Sequence, residues 1–347
     1  LEENYNFLPL QKMEFASARN QLREKILDVG PASFGPLALD LFRFQAGYNP
    51  VYRQYLHLLD VNPAEVSRLS GIPFLPIQFF KNYTIQSGEW VPERVFESSG
   101  TTGMATSRHL VRDFSWYLRN TRRGFEAFYG APDRYCVLAL LPSYLERSGS
   151  SLVAMAEFFI RQSRHQDSGF FLYNTEALLG IIESCQKKQI PVLLLGVSFA
   201  LLDLAEQYAP NLEGVTVMET GGMKGRRREM TREELHARLK EAFKLSAIHS
   251  EYGMTELFSQ AYSTGDGIFK PAPTMRVLTR EITDPLSPQD YGRTGAINVI
   301  DLANIDTISF IATDDLGRVY EDHRFEVLGR MDNSDMRGCN LLVKQKK

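Results

Sequence analysis

The chain has 347 residues, of which 44% are hydrophobic and 23% charged, with a formal net charge of −3. That balance supports an ordinary globular protein with a sizeable core, in one large domain or two smaller ones. It lacks the global basic bias that accompanies nucleic-acid binding, so small-molecule or protein partners are expected and nucleic acid is not.

Along the chain, the opening stretch LEENYNFLPLQKMEF has neither a basic start nor an apolar signal core, which predicts a cytoplasmic location. Apolar residues spaced three and four apart over 11–29, 36–46 and 51–60 predict a helical N-terminal region, residues 1–90. An α/β core is expected over 91–267. There, helical patterns at 113–129, 151–163, 175–189, 197–208 and 231–244 alternate with short apolar strands at 135–141, 191–195 and 215–219. Even the longest apolar runs, such as Cys136–Leu141, fall well short of the roughly 20 residues of a membrane-spanning helix, so no membrane span is expected. Beyond residue 268 helical periodicity gives way to strands such as 274–278 and 296–300 between Gly, Pro and Asp turns, a β-rich segment running to 329. Residues 330–347 read as a hinge and short tail. Neither a 20–50-residue repeat nor a low-complexity segment is present.

The stretch Glu97-Ser98-Ser99-Gly100-Thr101-Thr102-Gly103 concentrates hydroxyls and glycines. A polyphosphate needs several donors converging on it, which a Gly-rich turn supplies as unobstructed backbone N–H groups while Ser and Thr add hydroxyls. The common P-loop is excluded, because it requires Lys after its second Gly and Met104 follows Gly103 here. The ordinary alternative is a solvated Ser/Gly loop.

Three later stretches decide between these. The order of Ser98-Ser99-Gly100-Thr101-Thr102-Gly103, Tyr252-Gly253-Met254-Thr255-Glu256, Thr313-Asp314-Asp315-Leu316-Gly317 and Gly329-Arg330-Met331-Asp332 resembles the adenylate-forming enzymes, the acyl-CoA synthetases and luciferases among them. Asp314 stands where that family has Gly. The resemblance implies an α/β fold, the large N-terminal-type domain of those enzymes, with layered αβ subdomains and a β-rich segment over 1–329. It also implies ATP and Mg2+ as cofactors. Tyr252 can stack on adenine, Glu256 offers the hard oxygen Mg2+ prefers, and Asp315, expected in a turn between strands, can accept ribose hydroxyls. Glu219-Thr220-Gly221-Gly222 ends a strand with a glycine pair that permits close approach to a flat base. Taken singly, Tyr252 also reads as a core aromatic, Glu256 as a solvated carboxylate and Gly221-Gly222 as a turn.

Adenylate-forming enzymes continue past the Gly-Arg-x-Asp hinge into a mobile C-terminal domain carrying a Lys, whereas this sequence ends shortly after Asp332. In this it resembles the LuxE-type acyl-protein synthetases, whose C-terminal cysteine receives the acyl group; Arg337-Gly338-Cys339-Asn340 stands in that place. Leu141–Arg147 with Ser150-Ser151 also looks like that family. Of the three cysteines, Cys136 and Cys185 fall in apolar patterns and are expected to be buried, while Cys339 sits in a polar tail. The resemblance implies Thr101, Glu256 and Cys339 as catalytic, with Ser98–Gly103, Gly221, Gly222, Tyr252, Gly253, Thr255, Asp315 and Arg330 holding nucleotide. A fatty or other carboxylic acid and a partner acyl reductase are the implied partners. Two alternatives stay open: a phenylacetate-type ligase using coenzyme A, and a non-catalytic nucleotide- or acyl-binding subunit.

Overall fold

The structure, a computed structural model, describes residues 9–98, 106–141, 149–221 and 230–331. Helices α1 (Pro9–Leu27), α2 (Pro31–Tyr48) and α3 (Pro50–Leu58) come first. Pro31 and Pro50 occupy first-turn positions, where a missing N–H breaks no helical bond, and the Asn49 side chain accepts from the Tyr52 N–H to cap α3. Strand β1 (Leu75–Pro76) and helix α4 (Phe79–Asn82) lead to an antiparallel hairpin, β2 (Arg94–Glu97) and β3 (Arg108–Val111).

Next comes α5 (Phe114–Tyr129), started by Asp113, which accepts from the Trp116 N–H. A run of crossovers follows: β4 (Cys136–Leu140), α6 (Ser151–Gln162), β5 (Gly169–Phe170), α7 (Thr175–Lys187), β6 (Val192–Val197), α8 (Ser198–Tyr208), β7 (Val215–Thr220), α9 (Arg232–Phe243) and β8 (His249–Tyr252). These five strands pair in parallel, and β4 and β6 are buried along their whole length, as expected for strands covered on both faces. The chain then turns antiparallel through β9 (Ala261–Ser263), β10 (Ile268–Pro271), β11 (Met275–Arg280), β12 (Thr294–Asp301), β13 (Phe310–Val319) and β14 (Phe325–Arg330).

Among the described residues, all the strands except the β2–β3 hairpin join one mixed twelve-stranded sheet, in the order β11-β12-β13-β14-β10-β9-β8-β7-β6-β4-β5, with β1 added in parallel to β13. Two apolar cores lie against it. One joins the N-terminal helices to the β-rich segment, with Phe42 and Tyr52 packed on Phe310. The other clusters Phe125, Leu138, Leu194, Val217 and Phe243 around the parallel strands. They adjoin at β8 and β9, where Tyr252 belongs to the first and Tyr262 to the second. No described helix is long and apolar enough to cross a membrane.

Candidate active site

Tyr252 is the last residue of β8. Its ring is 7% exposed, edge-on to Phe269 and Phe325 at centroid distances of 5.9 and 5.4 Å. The ring is thus packed in an aromatic cluster, and it is the hydroxyl that reaches the site, donating to Asp315 Oδ2 at 2.8 Å. Burial, then the adjacent Asp315 charge, pushes the phenol well above its usual range and keeps it a donor. Asp315 Oδ1 accepts from Arg330 Nε at 3.3 Å, a contact set by the β13–β14 register, which places the two residues opposite one another. Residues 63 and 15 positions apart in sequence thereby form one constellation.

The expected turn at Asp315 is corrected: the residue lies inside β13. Gly317 serves packing there. A Cβ at this position would collide with the Glu326 carbonyl oxygen on β14 and come within 2.6 Å of Ile297 Cδ1. Asp314 needs no glycine-like conformation, because its φ is not positive; its side chain accepts from Gln78 Nε2 at 2.6 Å and its carbonyl from the Met331 N–H at 2.7 Å.

The alternative reading of Glu256 as a solvated carboxylate does not hold, because the residue is buried, 5% exposed. Its loop is drawn inward by the buried Leu257 and Phe258 and held by Asp301, whose Oδ2 accepts from the Phe258 and Ser259 N–H groups at 2.8 Å. Desolvation raises the Glu256 pKa, opposed by a hydrogen bond from Ser107 and by the Arg330 and Lys81 charges. Neighbouring Thr255 is read by His109: Nδ1 lies 2.9 Å from the Thr255 carbonyl and Nε2 2.9 Å from Thr307 Oγ1. A carbonyl only accepts, so Nδ1 carries the proton and Nε2 accepts from the Thr307 hydroxyl. Burial holds this neutral imidazole at a pKa of about 4.

Ser98 closes the base of the hydroxyl-rich loop. Its N–H donates to the Ser107 carbonyl at 3.0 Å and its Oγ accepts from the Ser107 N–H at 2.9 Å. Gly221 follows β7, and its carbonyl accepts from Ser198 Oγ at 3.2 Å. Ser99, Gly100, Thr101, Thr102, Gly103, Gly222 and Cys339 lie outside the described residues. Sequence reasoning missed two buried carboxylates at neighbouring strand ends. Glu219 contacts Arg232 Nε at 3.1 Å and His236 Nε2 at 3.6 Å, while Glu251, beside Thr220, is pushed by burial to a pKa of about 7. For Glu219 the available signal was an acid at the end of a largely apolar strand, VTVMET, whereas Glu251 stands in the polar strand HSEY and gave none.

A separate cleft of about 520 Å3 is lined by residues including Leu59, Phe74, Arg276, Pro288 and Tyr291. None of Tyr252, Glu256, Asp315 or Arg330 borders it, so converging side chains rather than cavity size locate the candidate site.

Solved structures share this architecture. The 2-hydroxyisobutyryl-CoA ligase, in an open conformation with 2-HIB-AMP and CoA, superposes with a TM-score of 0.63 at 14% identity, covering 88% of this chain and 72% of the ligase. In its thioesterification state the same ligase covers 96% of this chain and 74% of its own, again at 0.63 and with 13% identity. This is the fold of the adenylate-forming ligases. ATP-bound MatB from Rhodopseudomonas palustris superposes at 0.51 with 16% identity, over 68% of this chain. The chain spans about half, 47%, of MatB's length. No protein-family profile matches the sequence, and no curated protein does. Within the adenylate-forming fold, the Tyr252–Asp315–Arg330 constellation joins the parallel strand β8 to the antiparallel pair β13–β14.

Proposed function

We propose that the chain activates a carboxylic acid with ATP: a carboxylate oxygen attacks the α-phosphorus, an acyl–phosphate bond forms and pyrophosphate leaves. The observation that carries this reading is the meeting of Tyr252, Asp315 and Arg330, three motif residues distant in sequence, on the fold that the ligases above share. Asp315, held between a phenol and a guanidinium, is a fixed acceptor for ribose hydroxyls. Arg330, with its side chain 80% exposed, offers further donors toward phosphate. The Ser98–Gly103 loop, closed at its base by the Ser98–Ser107 pair, supplies donors to the leaving pyrophosphate.

The residues fit Mg2+ as such a reaction uses it. Among the described residues no cluster of three or more His, Cys, Asp or Glu is arranged to hold a metal, and Glu256 offers a single carboxylate. Mg2+ bound through one carboxylate, phosphates and water matches that donor set, and it would offset charge moving onto pyrophosphate.

Acyl transfer to Cys339 is the second half of the proposal: the thiolate attacks the acyl carbon, AMP leaves, and the thioester is passed to a partner acyl reductase. Both described thiols are poorly suited to that task. Cys136 and Cys185 are buried, and burial with the neighbouring Cys185 pushes the Cys136 thiol up to about 12. A second reading, release as acyl-CoA, draws support from the likeness to a ligase solved with CoA.

Acid-dependent ATP–pyrophosphate exchange tests the first half. Glu256→Gln should slow it about a hundred- to thousandfold, as should Thr101→Ala. Cys339→Ala should retain exchange yet lose hydroxylamine-labile acyl labelling. Undiminished labelling in that variant, or acyl-CoA formed without a covalent intermediate, moves the conclusion to the coenzyme A ligase. Folded protein that binds ATP but shows no exchange with any acid leaves only the binding-subunit reading.

A further inference from the structure

The cleft that none of Tyr252, Glu256, Asp315 or Arg330 borders is built like a small-molecule site. Its floor is one face of the edge strand β11, where Arg276, Leu278 and Arg280 follow at every second position and Asn298 of β12 stands opposite Leu278. Two loop segments form the walls. Segment 69–74 is pinned by Tyr52 Oη, which donates to the Pro73 carbonyl at 2.6 Å, and by Tyr55 Oη, which donates to the Phe74 carbonyl at 3.2 Å. Segment 285–291 is folded back against β11 by the Gln289 N–H, which donates to the Thr279 carbonyl at 2.8 Å. The cleft of about 520 Å3 between them falls within the roughly 300–1,000 Å3 of small-molecule pockets.

The lining combines apolar walls with a positive floor. Ile72, Phe74 and Leu278 face the cleft together with Leu286 and Tyr291 of the lip, which are 56% and 50% exposed. Among the described residues, Arg280 donates to neutral oxygens: through Nη1 to the Ile297 carbonyl at 2.8 Å and Asn298 Oδ1 at 2.7 Å, and through Nη2 to the Thr313 carbonyl at 2.8 Å. Arg276 lies over the Phe34 ring, 4.3 Å from its centroid, a stacking that leaves the edge N–H groups of a guanidinium for an acceptor. Burial lowers the pKa of both arginines. The Arg276 charge reaches His323, another lining residue, whose pKa is lowered by burial and then by that arginine. Acids offset little of this. Asp290, the one carboxylate among the lining residues, has its side chain 82% exposed and leans toward Arg293 at 3.9 Å. Asp314 acts on Arg280 from beyond contact distance, and its carboxylate is engaged by Gln78.

We propose that this cleft binds a small amphipathic organic anion, an anionic head on an apolar body, at a site separate from that of the ATP reaction. The head pairs with Arg276 above the β11 floor, in the field of Arg280, and the body lies between Phe74 and Leu286. Charge-assisted hydrogen bonds to the head compensate a desolvated guanidinium, and the body takes apolar lip surface out of water. A neutral chain satisfies only the second need, and a cation opposes the first. The inference goes beyond the ligase reading and does not rest on it.

Titration calorimetry on the full 347-residue chain, without ATP, tests this with octanoate, octyl phosphate, octan-1-ol and octylammonium as probes. At least one anion should bind about tenfold or more tighter than octan-1-ol, with octylammonium weakest. Octanoate alone assigns a carboxylate head, and octyl phosphate alone a phosphate ester. Arg276→Gln should weaken the bound anion about tenfold or more, and Arg276→Lys should restore part of the loss. Arg280 is left intact, because it also holds Thr313, whose hydroxyl accepts from the Asp315 N–H at 3.2 Å. Leu286→Glu changes an exposed lip residue and sets a like charge at the mouth, so it should weaken the anion by a similar factor in a protein that folds as wild type does. Acid-dependent ATP–pyrophosphate exchange should be unaltered in both variants. Anions bound no better than the alcohol, or bound equally by wild type, Arg276→Gln and Leu286→Glu, overturn the proposal; octanoate binding of the second kind belongs to the candidate active site. Exchange lost together with anion binding overturns it too, by making the cleft part of the reaction site. Wild type that shows no exchange with any acid yet binds the anion through Arg276 sinks the ligase reading and supports the cleft.

Discussion

At the scale of single residues, His109 and Glu251 make opposite contributions to pH dependence. The imidazole of His109 is fully buried and its pKa falls from 6.5 to about 4, so the unfolded chain binds the extra proton between those values. Its contribution is therefore complete above pH 6.5 and is lost as pH falls toward 4, a change of about 3 kcal/mol. Glu251, raised from 4.5 to about 7, stabilises the fold below pH 4.5 and loses that contribution as pH rises through 7. Urea unfolding of wild type and His109→Gln at steps between pH 4 and 7 isolates the first effect: the difference in stability between the two proteins should shrink as pH falls. A constant difference would place the His109 proton elsewhere.

At the scale of elements, the site depends on a ladder that tolerates no side chain at one point. Gly317 lies where β13 and β14 shift register, against the Glu326 carbonyl, and two positions away Asp315 faces Arg330. Gly317→Ala should destabilise the protein by about 1–3 kcal/mol through backbone displacement. It should also loosen Asp315 from Tyr252, raising the ATP concentration needed for exchange. A thermal melt and an ATP titration check the pair of effects; a stable variant with unaltered ATP dependence would show that the ladder and the constellation are uncoupled. The same element explains part of what sequence reading missed. The patterns at 274–278 and 296–300 are legible as strands, and both appear, as β11 and β12. Strand β13 contains Thr313-Asp314-Asp315-Leu316-Gly317, which has the composition of a turn, and only its pairing on both sides makes it a strand.

At the scale of the whole molecule, the N-terminal helices are locked to the β-rich segment. Arg19 of α1 grips Asp306 through Nε at 2.5 Å and Nη2 at 2.7 Å, with Arg112 Nη1 at 3.2 Å from the same carboxylate. Because Arg19 and Asp306 are buried, removing one partner strands charge. Asp306→Asn should cost about 3–5 kcal/mol. Trp90 and Trp116 both lie on the side of this core, Trp116 within it and Trp90 near Arg112, so in Asp306→Asn tryptophan fluorescence should change at lower urea than far-UV circular dichroism. Coincident transitions would mean that the two cores unfold as one.

What the sequence determined by itself is the set of local elements and the order of motifs. Eight helices predicted from apolar spacing, from 11–29 to 231–244, reappear with ends moved by a few residues, because an amphipathic stripe is a property of neighbouring positions. The burial of Cys136 and Cys185 was legible in the same way. The tertiary structure alone decided which residues meet. Pairing across the sheet brings Asp315 to Tyr252, puts Glu256 under cover and sets Glu251 facing Tyr262. Burial is a property of what packs on a residue from elsewhere in the chain, and it turns an acid of solvated-loop composition into a carboxyl with a raised pKa. Sequence spacing carries no record of that desolvation, which is why the motif residues could be named in advance and their electrostatic state could not.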